Sequence, residues 1–183
     1  MVEYFSLPSR ERIVEIATGL ICESGYGAMT MRALAGQAGL LPGSLYSHFS
    51  NKQEILFEVL LSLQSKRFIK SRKISGAFPP DRALESFIDG LLNEIRRNPR
   101  VVDLKAEAIY LEEDDRQEYL RQEAAQISEL SKILVEGMNW GLYRVDDPSV
   151  TARAMIAMVE SLASHPGDES ELIKGLARKL VLK

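Results

Sequence analysis

The residues best placed to do chemistry lie between positions 42 and 52, and their chemistry is hydrogen bonding. Leu45 and Phe49 are four residues apart and are expected to point inward together. The opposite face is then small and polar. Such a face fits the major groove of B-DNA, which is about 12 Å wide, without steric conflict. Its residues are Ser44, Ser47 and His48, with Tyr46 at the edge.

Two short helices and a tight turn are predicted to position this face. Thr30 can cap the first helix, Gly39 can end it, and Pro42 suits the first turn of the second. Asn51 is then expected to cap a third helix, with Lys52 in its first turn. The spacing is that of a helix-turn-helix, although a packed helical hairpin with no nucleic-acid role fits it equally well.

Across residues 10–58 the chain resembles the DNA-binding domain of the TetR family of bacterial transcriptional regulators. The most specific part is the run GSLYSHFSNK at 43–52. One departure is Gly19, where the family usually has alanine or a larger apolar residue, at a cost of up to about 1 kcal/mol relative to Ala. The upstream residues that match in order and spacing are Arg12, Ile13, Val14, Ala17, Leu20, Ile21, Gly25, Tyr26, Met29, Thr30, Met31, Leu34, Ala35, Ala38, Gly39 and Leu40.

The second motif helix is expected to read bases. Ser44 and Ser47 should face base edges, while Pro42 and Gly43 let the helix approach closely. Arg32, near the start of the first motif helix, is expected to reach a base or a phosphate. With so small a face, specificity should depend on thymine methyl groups and DNA shape.

Other residues are expected to bind the DNA backbone. The resemblance implies that Tyr46 and Lys52 contact phosphates, and we expect the same of His48. Thr30 could add a phosphate contact or serve only as a helix cap, and capping is the favoured role.

Charge divides unevenly along the chain. The net charge is −3 over 183 residues, with +3 in residues 1–75 and −6 in residues 76–183. A basic head on an acidic body fits DNA binding by one end only.

The composition predicts a cytoplasmic protein with no cofactor and no metal. Cys22 is the one cysteine, so an intramolecular disulfide is impossible, and a buried structural thiol is expected. No run of 18 apolar residues predicts a membrane span, and the N-terminus does not resemble a signal peptide. No Ser-His-Asp arrangement, phosphate loop or metal cluster suggests an enzyme.

The predicted fold is all-α, with about nine helices arranged as a small head and a larger bundle, as in the TetR family. Residues 1–52 are predicted to form the DNA-binding domain, joined through a linking helix at 51–75 to a ligand-binding and dimerisation domain at 53–183. Ser9 is expected to cap the first helix, and Asp81 is expected to cap a later helix that stops at Asn98-Pro99. The remaining helices are expected at about 101–111, 115–140, 148–163 and 168–181.

The last two helices are expected to form a dimer interface. Apolar or small residues recur there at helical spacing, and these stripes could also pack within one chain. The family resemblance favours a four-helix interface between two copies. The residues are Val150, Ala154, Ala157 and Ser161 on one helix and Leu172, Ile173, Leu176 and Leu180 on the other.

The family resemblance implies a cavity for a small hydrophobic effector among the middle helices. Residues 119–147 are similar to family members that sense acyl-CoA thioesters. The predicted function is a repressor that binds a palindromic operator as a dimer and is released by its effector; the alternative is a helical interaction protein without DNA binding. Candidate lining residues, each of which could equally be core, are Phe68, Phe87, Ile109, Tyr110, Met138, Trp140, Tyr143, Met155 and Met158.

Overall fold

The computed structural model describes residues 9–71, 78–97, 104–163 and 169–182, with the side chains of 65–71 left out. The described residues form nine helical elements and no strand beyond one isolated antiparallel bridge between Tyr143 and Leu182. The all-α prediction is therefore confirmed. The elements are α1 (Arg10–Ala28), α2 (Met31–Gln37), α3 (Pro42–Tyr46), α4 (Lys52–Ser71), α5 (Pro80–Arg97), a 3₁₀ helix (Lys105–Tyr110), α6 (Glu113–Asn139), α7 (Pro148–Ala163) and α8 (Ser170–Lys179).

Side-chain caps fix where several helices begin. The Ser9 hydroxyl accepts a hydrogen bond from Arg12 N at 3.3 Å, and Asn51 Oδ1 accepts one from Glu54 N at 2.8 Å. Asp147 Oδ1 likewise accepts from Ser149 N and Val150 N at the start of α7. These bonds satisfy amide groups that have no partner within the helix. The predicted caps at Ser9 and Asn51 are confirmed.

The helix predicted at about 101–111 is a 3₁₀ helix within its described part. Residues Lys105–Tyr110 form a 3₁₀ helix, while 101–103 lie outside the described residues. Three residues per turn place Leu104, Glu107 and Tyr110 on one side. Ile109, predicted to be apolar lining, is instead 70% exposed.

Two further expectations need correction. Helix α5 begins at Pro80, so Asp81 lies in its first turn and is not its cap; its predicted stop at 98–99 falls outside the described residues. Cys22 is half-buried, not buried, because α1 presents it at the margin of its apolar stripe.

The described chain packs as two units. The first holds residues 9–62 and 104–119, with a core that includes Ile13, Leu34, Leu45 and Phe49. This division reflects how the residues pack. The predicted boundary after residue 52, between a DNA-binding domain and a ligand-binding and dimerisation domain, stays a prediction.

The second unit holds residues 63–71, 78–97, 120–163 and 169–182. Its core is formed by α5, α6, α7 and α8. Gly137 on α6 lets the Tyr143 ring pack against the helix, because a Cβ there would lie 1.9 Å from a ring carbon. Burial raises the pKa of Tyr143 to about 12, and the charge of Asp81 adds to the shift.

None of the described helices combines the length and apolar character needed to cross a membrane.

Candidate nucleic-acid interface

A tight turn sets the direction of α3 in the first unit. Gly39 adopts a φ of +68°, which favours glycine, and Leu40 N donates to Ala35 O at 2.8 Å. Pro42 occupies the first turn of α3, where its missing N–H leaves no bond unmade. Leu45 and Phe49 are then buried to 0% and 1% exposure. This is the helix-turn-helix that the sequence predicted.

The opposite face of α3 is open to solvent. Pro42, Gly43, Tyr46 and Ser47 are exposed, and Ser44 is half-buried. A Cβ added at Gly43 would have no atom within 4 Å, so the glycine leaves empty space on the outside of the helix. The structure therefore brings these predicted residues together on one surface.

The hydroxyl groups on this face are not all free to donate. The Ser47 hydroxyl donates to Ser44 O at 2.7 Å, which leaves its oxygen lone pairs available as acceptors. His48 is half-buried, and its carbonyl oxygen accepts a hydrogen bond from the Arg10 guanidinium.

The residues predicted on α2 lie at its start. Thr30 caps the helix, with its hydroxyl oxygen accepting from Ala33 N at 3.1 Å, while its phosphate contact stays a prediction. Arg32 is exposed two residues later. Both side chains stand at the surface of the first unit.

Lys52 is tied into the protein more closely than expected. Its Nζ donates to Gly27 O at 3.2 Å and lies 4.1 Å from the centre of the Tyr26 ring. Burial lowers the pKa of Lys52, while the charge of Glu107 acts in the opposite direction. An ammonium group has three donors, so further bonds to a phosphate remain possible.

Arg10 is a supporting residue that the sequence prediction missed. Its Nη2 atom lies 2.7 Å from Glu54 Oε1 and 3.0 Å from Glu58 Oε1, while its guanidinium lies 4.1 Å from the centre of the Phe49 ring. The bond from Arg10 lowers the pKa of Glu54, and the bond from Ser50 N adds to this. Arg10 thus joins the start of α1 to α4 and to the end of the motif.

The 3₁₀ helix also contacts the motif's support, which no local sequence signal indicated. Glu107 Oε1 accepts from Tyr26 N at 3.2 Å, and the Tyr26 and Tyr110 ring centres are 5.3 Å apart. Gln53 Nε2 donates to Tyr110 O at 3.1 Å. Burial raises the pKa of Tyr26, and Glu107 contributes.

The predicted effector-lining residues do not form one group. Phe87, Tyr143 and Met155 belong to the core of the second unit. Met138 at the end of α6 and Trp140 in the turn that follows it are exposed. Ile109 and Tyr110 of the 3₁₀ helix, in the first unit, are exposed as well. Met158 is partly buried against the core, and the side chain of Phe68 lies outside the described residues.

The predicted dimer stripes divide in the structure. Val150, Ala154, Ala157 and Ser161 are all exposed on α7. On α8, Leu172 is exposed and Leu176 is half-buried, and the C-cap residue Leu180 is exposed. Ile173 is 2% exposed and packs in its own core, so its assignment to the interface stripe is wrong: it lies on the inward side of α8 with Ala177.

The chain is similar in sequence to bacterial transcriptional regulators. The family model for bacterial regulatory proteins of the tetR family matches residues 13–59. The transcriptional repressor KstR2 of Mycobacterium tuberculosis is 31% identical over 140 residues, covering 75% of this chain and 70% of its own.

Solved structures share the fold over almost the whole chain. PfmR, a TetR family regulator from Thermus thermophilus, aligns with a TM-score of 0.83 at 25% identity, covering 93% of this chain and 97% of its own. AibR, solved in complex with isovaleryl coenzyme A and operator DNA, aligns with a TM-score of 0.81 at 20% identity, covering 94% and 97%. At 20% identity, the similarity to AibR shows a shared fold and nothing about function.

Proposed function

The chain belongs to the TetR family of bacterial transcriptional regulators, and we propose that it is a repressor that binds a palindromic operator as a dimer and is released by a small hydrophobic effector. The observation that carries this proposal is the outward face of α3. Apart from Tyr46 at its edge, its exposed residues are small or polar, while Leu45 and Phe49 hold the helix against the core. A short helix with such a face can enter a major groove.

DNA contacts are proposed in two classes. Pro42, Gly43, Ser44 and Ser47 lie on the part of α3 that would approach base edges. The backbone class, which fixes the position of the protein without reading sequence, consists of Thr30, Arg32, Tyr46, His48 and Lys52; Arg32 could also reach a base.

The dimer is proposed to form through α7 and α8. Val150 and Leu172 are each 59% exposed, and the exposed residues Ala154 and Ala157 are small enough for another helix to approach closely. Apolar side chains exposed on adjacent helices of one unit favour a second copy as the occupant. Two copies would present two α3 helices, which must lie about 34–36 Å apart to fit successive major grooves.

The effector is proposed to be an acyl-CoA or another hydrophobic ligand held by the second unit. The Gln126 side chain is 8% exposed on the inward face of α6, and its Nε2 atom has no hydrogen-bond partner among the described residues. An unpaired buried donor costs about 1–3 kcal/mol, and a ligand oxygen could remove that cost. A ligand that prefers another spacing of the two heads would lower DNA affinity by its differential affinity for the two states.

We propose that the protein is not an enzyme and that it acts in the cytoplasm. Its relatives are regulators by name, and the reading face contains hydrogen-bonding groups without an arrangement of nucleophile and base. Turnover of an acyl thioester by the purified protein would contradict this.

The test is selection of bound duplexes from a random library at a fixed salt concentration. The selection is repeated with a panel of acyl-CoAs and other hydrophobic ligands. We expect a palindrome without ligand and its loss with one ligand class. Failure of the folded protein to enrich any duplex would favour the alternative of an interaction protein without DNA binding.

A further inference from the structure

Two successive leucines in the turn before α3 have opposite environments. Leu40 is 7% exposed and fills the corner between α2 and α3, whereas Leu41 is 76% exposed. No other large apolar residue in the described part of the chain reaches that exposure. Packing within the protein therefore explains why an apolar side chain occupies position 40, but it does not explain the apolar side chain of Leu41.

Helix capping does not explain Leu41 either. It is the N-cap residue of α3, with φ −70° and ψ 146°, and its side chain makes no capping hydrogen bond. Only its carbonyl takes part, accepting from Ser44 N at 2.9 Å and Leu45 N at 3.3 Å. Serine, threonine, aspartate or asparagine would stabilise such a helix start better.

The position of Leu41 connects it to the reading face. Pro42 and Gly43 follow it directly and are exposed with it. A recognition helix contacts base edges through its N-terminal residues, so Leu41 would enter the groove with them. The apolar group that bases display in the major groove is the 5-methyl group of thymine.

We propose that Leu41 is a specificity-determining residue that packs against a thymine methyl group in each half-site of the operator. This inference rests on the proposed function, because it requires α3 to lie in a major groove. It adds an apolar contact to a face otherwise made of small and polar groups.

The experiment replaces each thymine of the selected operator in turn with uracil, which lacks only the methyl group. Dissociation constants are measured for the wild-type dimer, Leu41→Ser and Leu41→Ala. The wild type should lose about threefold to tenfold in affinity at one symmetry-related position in each half-site, as expected for one buried methyl group. Leu41→Ser should bind thymine and uracil equally at that position. Leu120→Ser, a change at an exposed leucine of α6, should keep the wild-type preference.

Two results would overturn the proposal. The wild type could bind thymine and uracil equally everywhere, or Leu41→Ser could keep the full preference. If Leu41→Ser kept the preference and also changed self-association in sedimentation, Leu41 would be a contact between copies. A wild type that prefers no duplex at all would instead contradict the proposed function itself. Thermal melting of each variant checks that a change in preference is not a loss of fold.

Discussion

Gly43 occupies the exposed face of α3 with no atom within 4 Å of the place where a Cβ would be. Nothing in the free protein therefore requires a glycine at this position. Lys52, by contrast, already bonds to Gly27 O and lies over Tyr26, so the protein itself uses part of its binding capacity. Among single residues, Gly43 therefore has a proposed role only in binding DNA, whereas Lys52 also supports the fold.

Gly43→Ala should stabilise the free protein and weaken DNA binding. Alanine favours a helix by about 0.5–1 kcal/mol over glycine, whereas the added methyl group would stand between α3 and the bases. We expect a higher melting temperature and at least about tenfold weaker binding to the operator. Gly19→Ala, which adds the same group in α1 with no neighbour within 4 Å, should raise stability and leave affinity unchanged. Equal affinity of both variants would remove Gly43 from the interface.

Lys52→Ala should weaken binding to every duplex and reduce the salt dependence. Each phosphate contact contributes about one unit to the slope of log K against log salt, so we expect about one unit less per bound protomer. Lys132→Ala provides the control, because Lys132 pairs with Glu129 on α6 in the second unit. Weaker binding with an unchanged slope would mean that Lys52 only supports the fold around Tyr26.

At the scale of elements, α1 and α4 are joined by the Arg10 guanidinium. Arg10→Gln should lower the free energy of unfolding at neutral pH, because Glu54 loses the bond that depresses its pKa. A carboxylate whose pKa is lowered by folding stabilises the folded protein at pH values above its unfolded pKa of about 4.3. That stabilisation is lost as the pH falls through the pKa of the folded state. Denaturant titrations should therefore show the two proteins converging as the pH falls through and below 4.

The control for this change lies two residues along α1. Arg12 pairs with Glu15 within the same helix, and both side chains are more than half exposed. Such surface pairs contribute little, so Arg12→Gln should leave the pH profile nearly unchanged. A wild-type and Arg10→Gln difference that does not shrink at low pH would show that the Glu54 charge is not the cause.

Local signals explain which elements could be predicted from sequence. Ser9, Thr30 and Asn51 act on amides three residues away, so their capping roles follow from the sequence nearby. The bonds from Arg10 to Glu54 and from Tyr26 to Glu107 span 44 and 81 residues. Such contacts depend on how elements pack, and no periodicity encodes them. The same limit applies to Ile109, whose exposure follows from three residues per turn in a segment predicted only to be helical.

In the whole molecule, binding to a palindromic operator requires two copies of the chain. Ala157→Arg places a charge on the exposed face of α7 and should convert a dimer to a monomer in sedimentation. Operator affinity should fall with it, because one head reads only a half-site. Ala124→Arg, at an exposed alanine of α6, should remain dimeric. A dimer that survives Ala157→Arg would move the interface elsewhere.

The proposed function requires that the face of α3 distinguish one DNA sequence from others. This is measured as the ratio of dissociation constants for the selected operator and a scrambled duplex of the same composition, at the same salt concentration. We expect the operator to bind at least about 10³-fold more tightly. Equal affinities for the two duplexes would contradict it, since phosphate contacts alone would then account for the binding.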